Sequence, residues 1–121
     1  MALLIYYMAS LPILLSKKDK IKMATKFNID QLNKAFESRI RLGIMSVLMV
    51  NDQVDFNTMK ELLDVTDGNL ASHISALEKL EYVLVQKKFI GKKPNTYFEA
   101  TKLGKAEFKV HLNALEKLLK S

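Results

Sequence analysis

Asp67-Gly68-Asn69-Leu70-Ala71-Ser72-His73-Ile74-Ser75-Ala76-Leu77-Glu78-Lys79-Leu80, with the run Tyr82 to Ala100 behind it, decides how this chain is read. In the first stretch Leu70, Ile74 and Leu77, followed by Leu80 or Glu81, recur at i, i+4, i+7, the spacing of an amphipathic helix. With Leu70 as the origin and 100° per residue, Ile74 and Leu77 fall within about 40° of it, so the inner face is wholly aliphatic. Ser72 and Lys79 fall opposite, with Ser75 and Ala76 beside them and Asn69 and His73 on the flank nearest the helix start. No acid stands on that outer face until Glu78. Thr66 or Asp67 supplies the oxygen that caps the first turn.

The period then changes. Tyr82 to Ile90 is β-branched and aromatic, Gly91-Lys92-Lys93-Pro94-Asn95 reads as a five-residue turn, and Thr96 to Ala100 returns as a second strand. Lys87, Lys88, Lys92 and Lys93 cluster around that turn with no acid among them. Thr101 caps a last helix in which Phe108, Leu112, Leu115 and Leu119 form a seam. Toward the N-terminus, Phe56, Met59, Leu62 and Leu63 predict a short helix. Before it, Ile29, Leu32, Phe36, Ile40, Ile44, Val47 and Leu48 predict one amphipathic helix capped by Asn28 or Asp30 and closed by Asn51-Asp52. Gly43 within it costs about 1 kcal/mol of helix propensity, which close packing against a neighbouring helix explains. Met45, Met49 and Met59 read as core fillers. The order is helix, helix, helix, hairpin, helix: a mainly α chain with a small β-hairpin.

Composition agrees with one modest domain. The chain has 121 residues, 49% of them hydrophobic and 26% charged, which argues against a disordered segment. It has no cysteine, which excludes disulfides, thiolate catalysis and Cys-ligated zinc, and its two histidines leave little for a metal site. Nineteen basic against 13 acidic residues give +6, a bias toward polyanionic partners. No nucleotide-binding loop or catalytic constellation stands out, so neither enzyme activity nor a cofactor is expected.

Residues 1–27 form a separate apolar and basic extension ahead of a domain at 28–121. Ala2 to Leu15 is uncharged, interrupted by Pro12 and followed by Lys17, Lys18, Lys20 and Lys22. It is shorter than the roughly 20 residues a membrane span needs and lacks the basic start of a secretory signal. Three readings stand: an apolar helix packing on the domain or a second subunit, a misassigned start with the natural one at Met23, or a membrane anchor. Membrane association is the least favoured, and a cytoplasmic location is expected.

Asp67 to Ile74 followed by Leu77-Glu78-Lys79-Leu80 resembles the recognition-helix signature of winged-helix transcriptional regulators, closest to small single-domain relatives of the MarR and ArsR families. Gly91 to Tyr97 is similar to their wing, Ala100-Thr101-Lys102-Leu103-Gly104 to the step into their final helix, and Ser38 to Leu42 to their first helix. The resemblance spans about residues 28–120. It implies a winged helix-turn-helix with a C-terminal dimerisation helix, and a dimer that binds double-stranded DNA. Glu81 stands where relatives usually have glycine, which argues against their left-handed helix stop. Ser75 and Ala76 stand where many carry Lys or Arg, which weakens this helix's grip on phosphate.

A helix with short polar outer side chains fits a major groove about 12 Å wide. A recognition helix over about 67–80 would then place Asn69 on adenine, Ser72 and Ser75 on base edges or phosphate, and His73 and Lys79 on phosphate. A wing over about 83–100 would bring Lys92, Lys93 and Asn95 to the backbone or minor groove. Arg39 and Arg41 either touch the DNA backbone or form ordinary ion pairs. Leu32 and Phe36 of the first helix, with the Phe108, Leu112, Leu115 and Leu119 seam, are the expected homodimer interface. Any small-molecule effector would occupy the dimer cleft between first and last helices. His111 is expected to be structural or interfacial. The competing reading is a winged-helix protein–protein interaction module, tethered to a membrane through residues 3–15.

Overall fold

A computed structural model of the protein describes residues 29–120. The extension at 1–27, with its three readings, lies outside the described residues. By internal packing the chain forms two compact units, one running Lys34–Phe108 and the other combining the described residues before it with those from Lys109 onward.

The helix expected from Ile29 onward is broken. Single 3-10 turns at Ile29–Gln31 and Lys34–Phe36 precede helix α1, Arg39–Val50. Ser38 sits in extended backbone, and its hydroxyl accepts from the Arg41 amide at 3.4 Å, so the helix starts there. The apolar period ran through the break because Phe36, just before the cap, and Ile44, just after it, reach the same core.

Strand β1 (Val54–Asp55) leads into α2 (Phe56–Leu63), capped by Asp55, and then α3 (Asp67–Lys79), capped by Thr66. Between the two helices Asp64 takes the left-handed conformation at φ 51°, turning the chain in three residues. Gly43 lies where an added Cβ would come within 2.9 Å of Leu63, the close α1–α2 approach expected of it.

Strands β2 (Val83–Ile90) and β3 (Lys93–Ala100) form the hairpin, and β1 joins it to give the antiparallel order β1-β3-β2. Two expectations are corrected. The turn has two residues, not five, because Ile90 pairs with Lys93 and Gly91 at φ 65° makes a tight reversal that a Cβ would oppose. Lys93, Pro94 and Asn95 are therefore strand. Pro94 is tolerated because β1 reaches β3 only at Tyr97 and Phe98, leaving the tip two-stranded. The third strand, β1, is too short for a periodicity to announce.

Helix α4 runs Lys102–Lys120. Thr101 caps it as expected, its hydroxyl accepting from the Gly104 amide at 2.9 Å while donating to the Glu81 carbonyl at 2.6 Å. The core of the larger unit gathers Ile44, Met45 and Leu48 from α1, Met59 from α2, Leu70 and Leu77 from α3, and Phe98 and Phe108. Phe108 meets Phe36 edge-on at 5.1 Å between ring centroids, a favourable aromatic geometry. In the smaller unit the Asn33 amide donates to Nδ1 of buried His111 at 2.9 Å, a structural use of that histidine. No helix among the described residues is long and apolar enough to cross a membrane.

Candidate nucleic-acid interface

Helix α3 is anchored from one side only. Leu70, Ile74 and Leu77 are buried, and Thr66 Oγ1 accepts from the Asn69 amide at 3.2 Å. At its far end Glu81 takes φ 64°, the Glu81 amide donates to the Glu78 carbonyl at 2.9 Å, and the Tyr82 amide donates to the Leu77 carbonyl at 3.0 Å. That pair of bonds is a Schellman motif, so the left-handed stop argued against at Glu81 is present. A glutamate pays the Cβ strain there because Tyr82 and the Thr101 hydroxyl bond fix the backbone from the other side.

The outer face is set by this anchoring. Asn69, Ser72, Ser75 and Lys79 are exposed, and His73 is half-buried. Asn69 and Arg39 share the lining of an open cleft of about 410 Å³ with Ser38, Ile40, Leu63, Asp64, Val65 and Thr66. Arg41 is half-buried rather than exposed: its Nε–H donates to the Ala35 carbonyl at 2.6 Å, and its guanidinium lies 3.1 Å from His73 Nδ1. Burial, and then the Arg41 charge, hold the His73 pKa below the ordinary histidine value.

On the hairpin, Lys92 occupies the turn and Lys93 opens β3, both exposed; Asn95 is half-buried in β3 opposite Lys88. Lys88 folds back, donating to Gln53 Oε1 at 2.7 Å and lying 5.1 Å from the Tyr97 ring centroid. Gln53 also donates to Gln86 Oε1 at 3.3 Å, so it ties the loop before β1 to the hairpin. Sequence reading passed over Gln53, since no periodicity distinguishes a lone glutamine in a loop. Phe89 and Ile90 stand exposed at the tip beside the lysines.

The six residues expected at a subunit interface divide. Phe36 and Phe108 are buried in their own chain's core and are corrected from interface to core: each fills the aromatic contact with the other. Leu32 and Leu115 are half-buried, Leu112 is 41% exposed and Leu119 84% exposed, with Val110 and Leu118 also open on α4.

Residues 40–119 match the winged helix DNA-binding domain family. The chain belongs to that family. An uncharacterised protein of Methanocaldococcus jannaschii is 33% identical to this winged-helix protein over 88 residues, 73% of this chain and 96% of the relative. A transcriptional regulator homologue from Pyrococcus horikoshii superposes with a TM-score of 0.68 at 32% identity, over 84% of this chain and 94% of that one. BpsR of Bordetella bronchiseptica, solved in a study of how 6-hydroxynicotinic acid regulates its DNA binding, superposes with a TM-score of 0.61 over 92% of this chain and 82% of that one. At 10% identity that likeness is one of fold alone. The expected winged-helix architecture, with regulators as its structural neighbours, is borne out.

Proposed function

We propose that this winged-helix protein is a dimeric, sequence-specific regulator of transcription. Helix α3 enters the major groove of double-stranded DNA, and the β2–β3 wing lies along the backbone toward the minor groove. One observation carries the reading: α3 buries Leu70, Ile74 and Leu77 completely or nearly so while Asn69, Ser72 and Ser75 stand in solvent with no acid between them. A helix held this way presents short donors and acceptors at the width of a groove. Asn69 reads an adenine, Ser72 and Ser75 reach base edges or phosphate, and Arg39, Lys79, Lys92 and Lys93 supply affinity through phosphates.

Dimerisation follows from α4. At 100° per residue, Leu103, Val110, Ala114, Leu118, His111, Gly104, Leu115, Phe108, Leu119 and Leu112 cover an arc of about 200°. One chain's core uses Gly104 and Phe108, and the exposed leucines at 112 and 119, about 20° apart around the helix, leave an apolar strip that a second copy covers. Such a dimer binds half-sites about one helical turn, roughly 34 Å, apart.

The test is selection of binding sites from random duplex DNA, then affinity against salt. A paired-half-site consensus is expected, and replacing both Lys92 and Lys93 by Ala should reduce the log–log salt slope by about two units. Asn69→Ala should relax preference at one position, costing about 1–3 kcal/mol against the correct base. Absence of any enriched sequence overturns the reading and leaves the protein–protein module in its place.

A further inference from the structure

Arg41 is held twice before it reaches α3. Its backbone amide is capped by Ser38, and its Nε–H donates to the Ala35 carbonyl at 2.6 Å. What remains of the guanidinium is aimed across the interface between α1 and α3, 3.1 Å from Nδ1 of His73. Every guanidinium nitrogen is a donor, and arginine does not deprotonate in proteins. Nδ1 must therefore accept, and an imidazole that accepts at Nδ1 carries its proton at Nε2. A protonated His73 would turn an N–H toward the guanidinium and lose this bond.

We propose that Arg41 is a positioning residue for the recognition surface, locking His73 into the neutral Nε2–H tautomer so that α3 offers DNA a fixed, uncharged donor. The idea rests on the reading of α3 as the groove-facing helix. His73 lies one turn beyond Asn69 on the same flank, so the donor stands beside the residue assigned to base reading. Arg41 is the charged group that acts on His73 from α1; along α3 its neighbours one turn away, Asn69 and Leu77, do not titrate. Burial of the ring works in the same direction. The sequence offered His73 as a phosphate contact and Arg41 as either a backbone contact or an ordinary ion pair, and their spacing, 32 positions apart, concealed that they meet.

Two measurements on the full chain separate this proposal from the reading beneath it. The first needs no DNA. In nitrogen-15 spectra of the imidazoles at pH 7, wild-type His73 should show an unprotonated Nδ1 and a protonated Nε2, and should titrate below the ordinary histidine value. Arg41→Ala should move that midpoint upward and mix the tautomers; Arg41→Lys, which keeps one charged donor nitrogen, should restore part of the lock and serves if the alanine variant folds poorly. A cationic or Nδ1-protonated His73 in the wild type, or a midpoint that ignores Arg41, overturns the proposal.

The second measurement is affinity for the selected duplex between pH 5.5 and 8. Wild type should be flat above pH 6.5. Arg41→Ala should lose about fivefold at pH 8, the factor one net hydrogen bond carries, and recover as the pH falls and His73 gains charge. The salt slope at pH 8 should stay unchanged, because Arg41 acts through His73; a slope reduced by about 0.9 makes Arg41 a direct phosphate contact and overturns the positioning role. In a His73→Ala background the Arg41 effect should vanish. Tautomer and midpoint as expected with no duplex bound would sink the reading of α3, and with it the use of this donor, while a bound duplex with the wrong tautomer sinks the lock alone.

Discussion

Gly104→Ala tests the junction that fixes the end of helix α3. A Cβ at Gly104 would lie 2.2 Å from the Tyr82 carbonyl oxygen and 2.9 Å from two further Tyr82 backbone atoms. Nothing flexible is present to yield, so the backbone must part by about 1 Å to reach van der Waals contact. The Tyr82 carbonyl also accepts from the Thr101 amide at 3.0 Å, and Thr101 Oγ1 joins Gly104 to Glu81 on either side. Overpacking of this kind costs about 1–3 kcal/mol, and loosening one or two of these bonds adds about 1 kcal/mol each. Alanine recovers about 1 kcal/mol of helix propensity, leaving a net loss of about 1–4 kcal/mol. For a domain of this size that lowers Tm by roughly 5–25 °C. Gly68→Ala is the internal control: it is helical, lies in open space, and should be neutral or slightly stabilising. Thermal and urea unfolding followed by circular dichroism measure both. If Gly104→Ala unfolds at the wild-type temperature, or if the two substitutions rank the other way, the packing described for this junction is wrong.

Other consequences follow from single residues. Glu81→Gly relieves a left-handed conformation at φ 64° and should stabilise by about 0.5–1 kcal/mol, after the greater unfolded-state entropy of glycine is counted, in the same urea titration. Asp55 caps α2, and hydrogen bonds from Thr58 hold its pKa below the ordinary carboxylate value. Its contribution is therefore complete above pH 3.8 and disappears as pH falls through the lower folded-state value. Asp55→Asn keeps a cap that does not titrate, so the acid limb of the stability curve should flatten, whereas Asp55→Ala should cost about 1 kcal/mol at pH 7. Leu112→Glu with Leu119→Glu places charge on the open strip of α4. It should convert the proposed dimer to monomer in sedimentation while leaving Tm of the monomer unit within a few degrees, since both leucines are exposed.

What the sequence made legible was whatever repeats or caps locally. The α3 stripe, the Thr101 cap and the two strands each carry their signal within a dozen residues, so periodicity and capping chemistry recover them. The break before α1 was hidden because Phe36 and Ile44 keep helical spacing across a segment that is not helical; only the Ser38 oxygen marks the true start. Strand β1 owes its existence to β3, a partner 44 and 42 positions away by register, and a two-residue strand has no period of its own. The interface assignment erred at Phe36 and Phe108 for a related reason. A seam says that a face is apolar but not which chain covers it, and here the two rings cover each other.

Glu81 shows how a site's demands override local preference. Glycine would adopt its conformation without strain, yet the motif that stops α3 is made by backbone amides of Glu81 and Tyr82, which any side chain leaves intact. The cost is offset from the next element: the same Glu81 carbonyl receives the Thr101 hydroxyl, and the Tyr82 carbonyl receives the Thr101 amide. The end of α3 and the start of α4 are thus joined through one short knot of backbone bonds, with Gly104 allowing the two segments to touch. On the proposed reading of α3 as the groove-facing helix, its angle to the DNA must be fixed, and ties at both ends fix it. Thr66 ties the first and this knot ties the second, so loosening the knot should blur sequence preference before it abolishes binding.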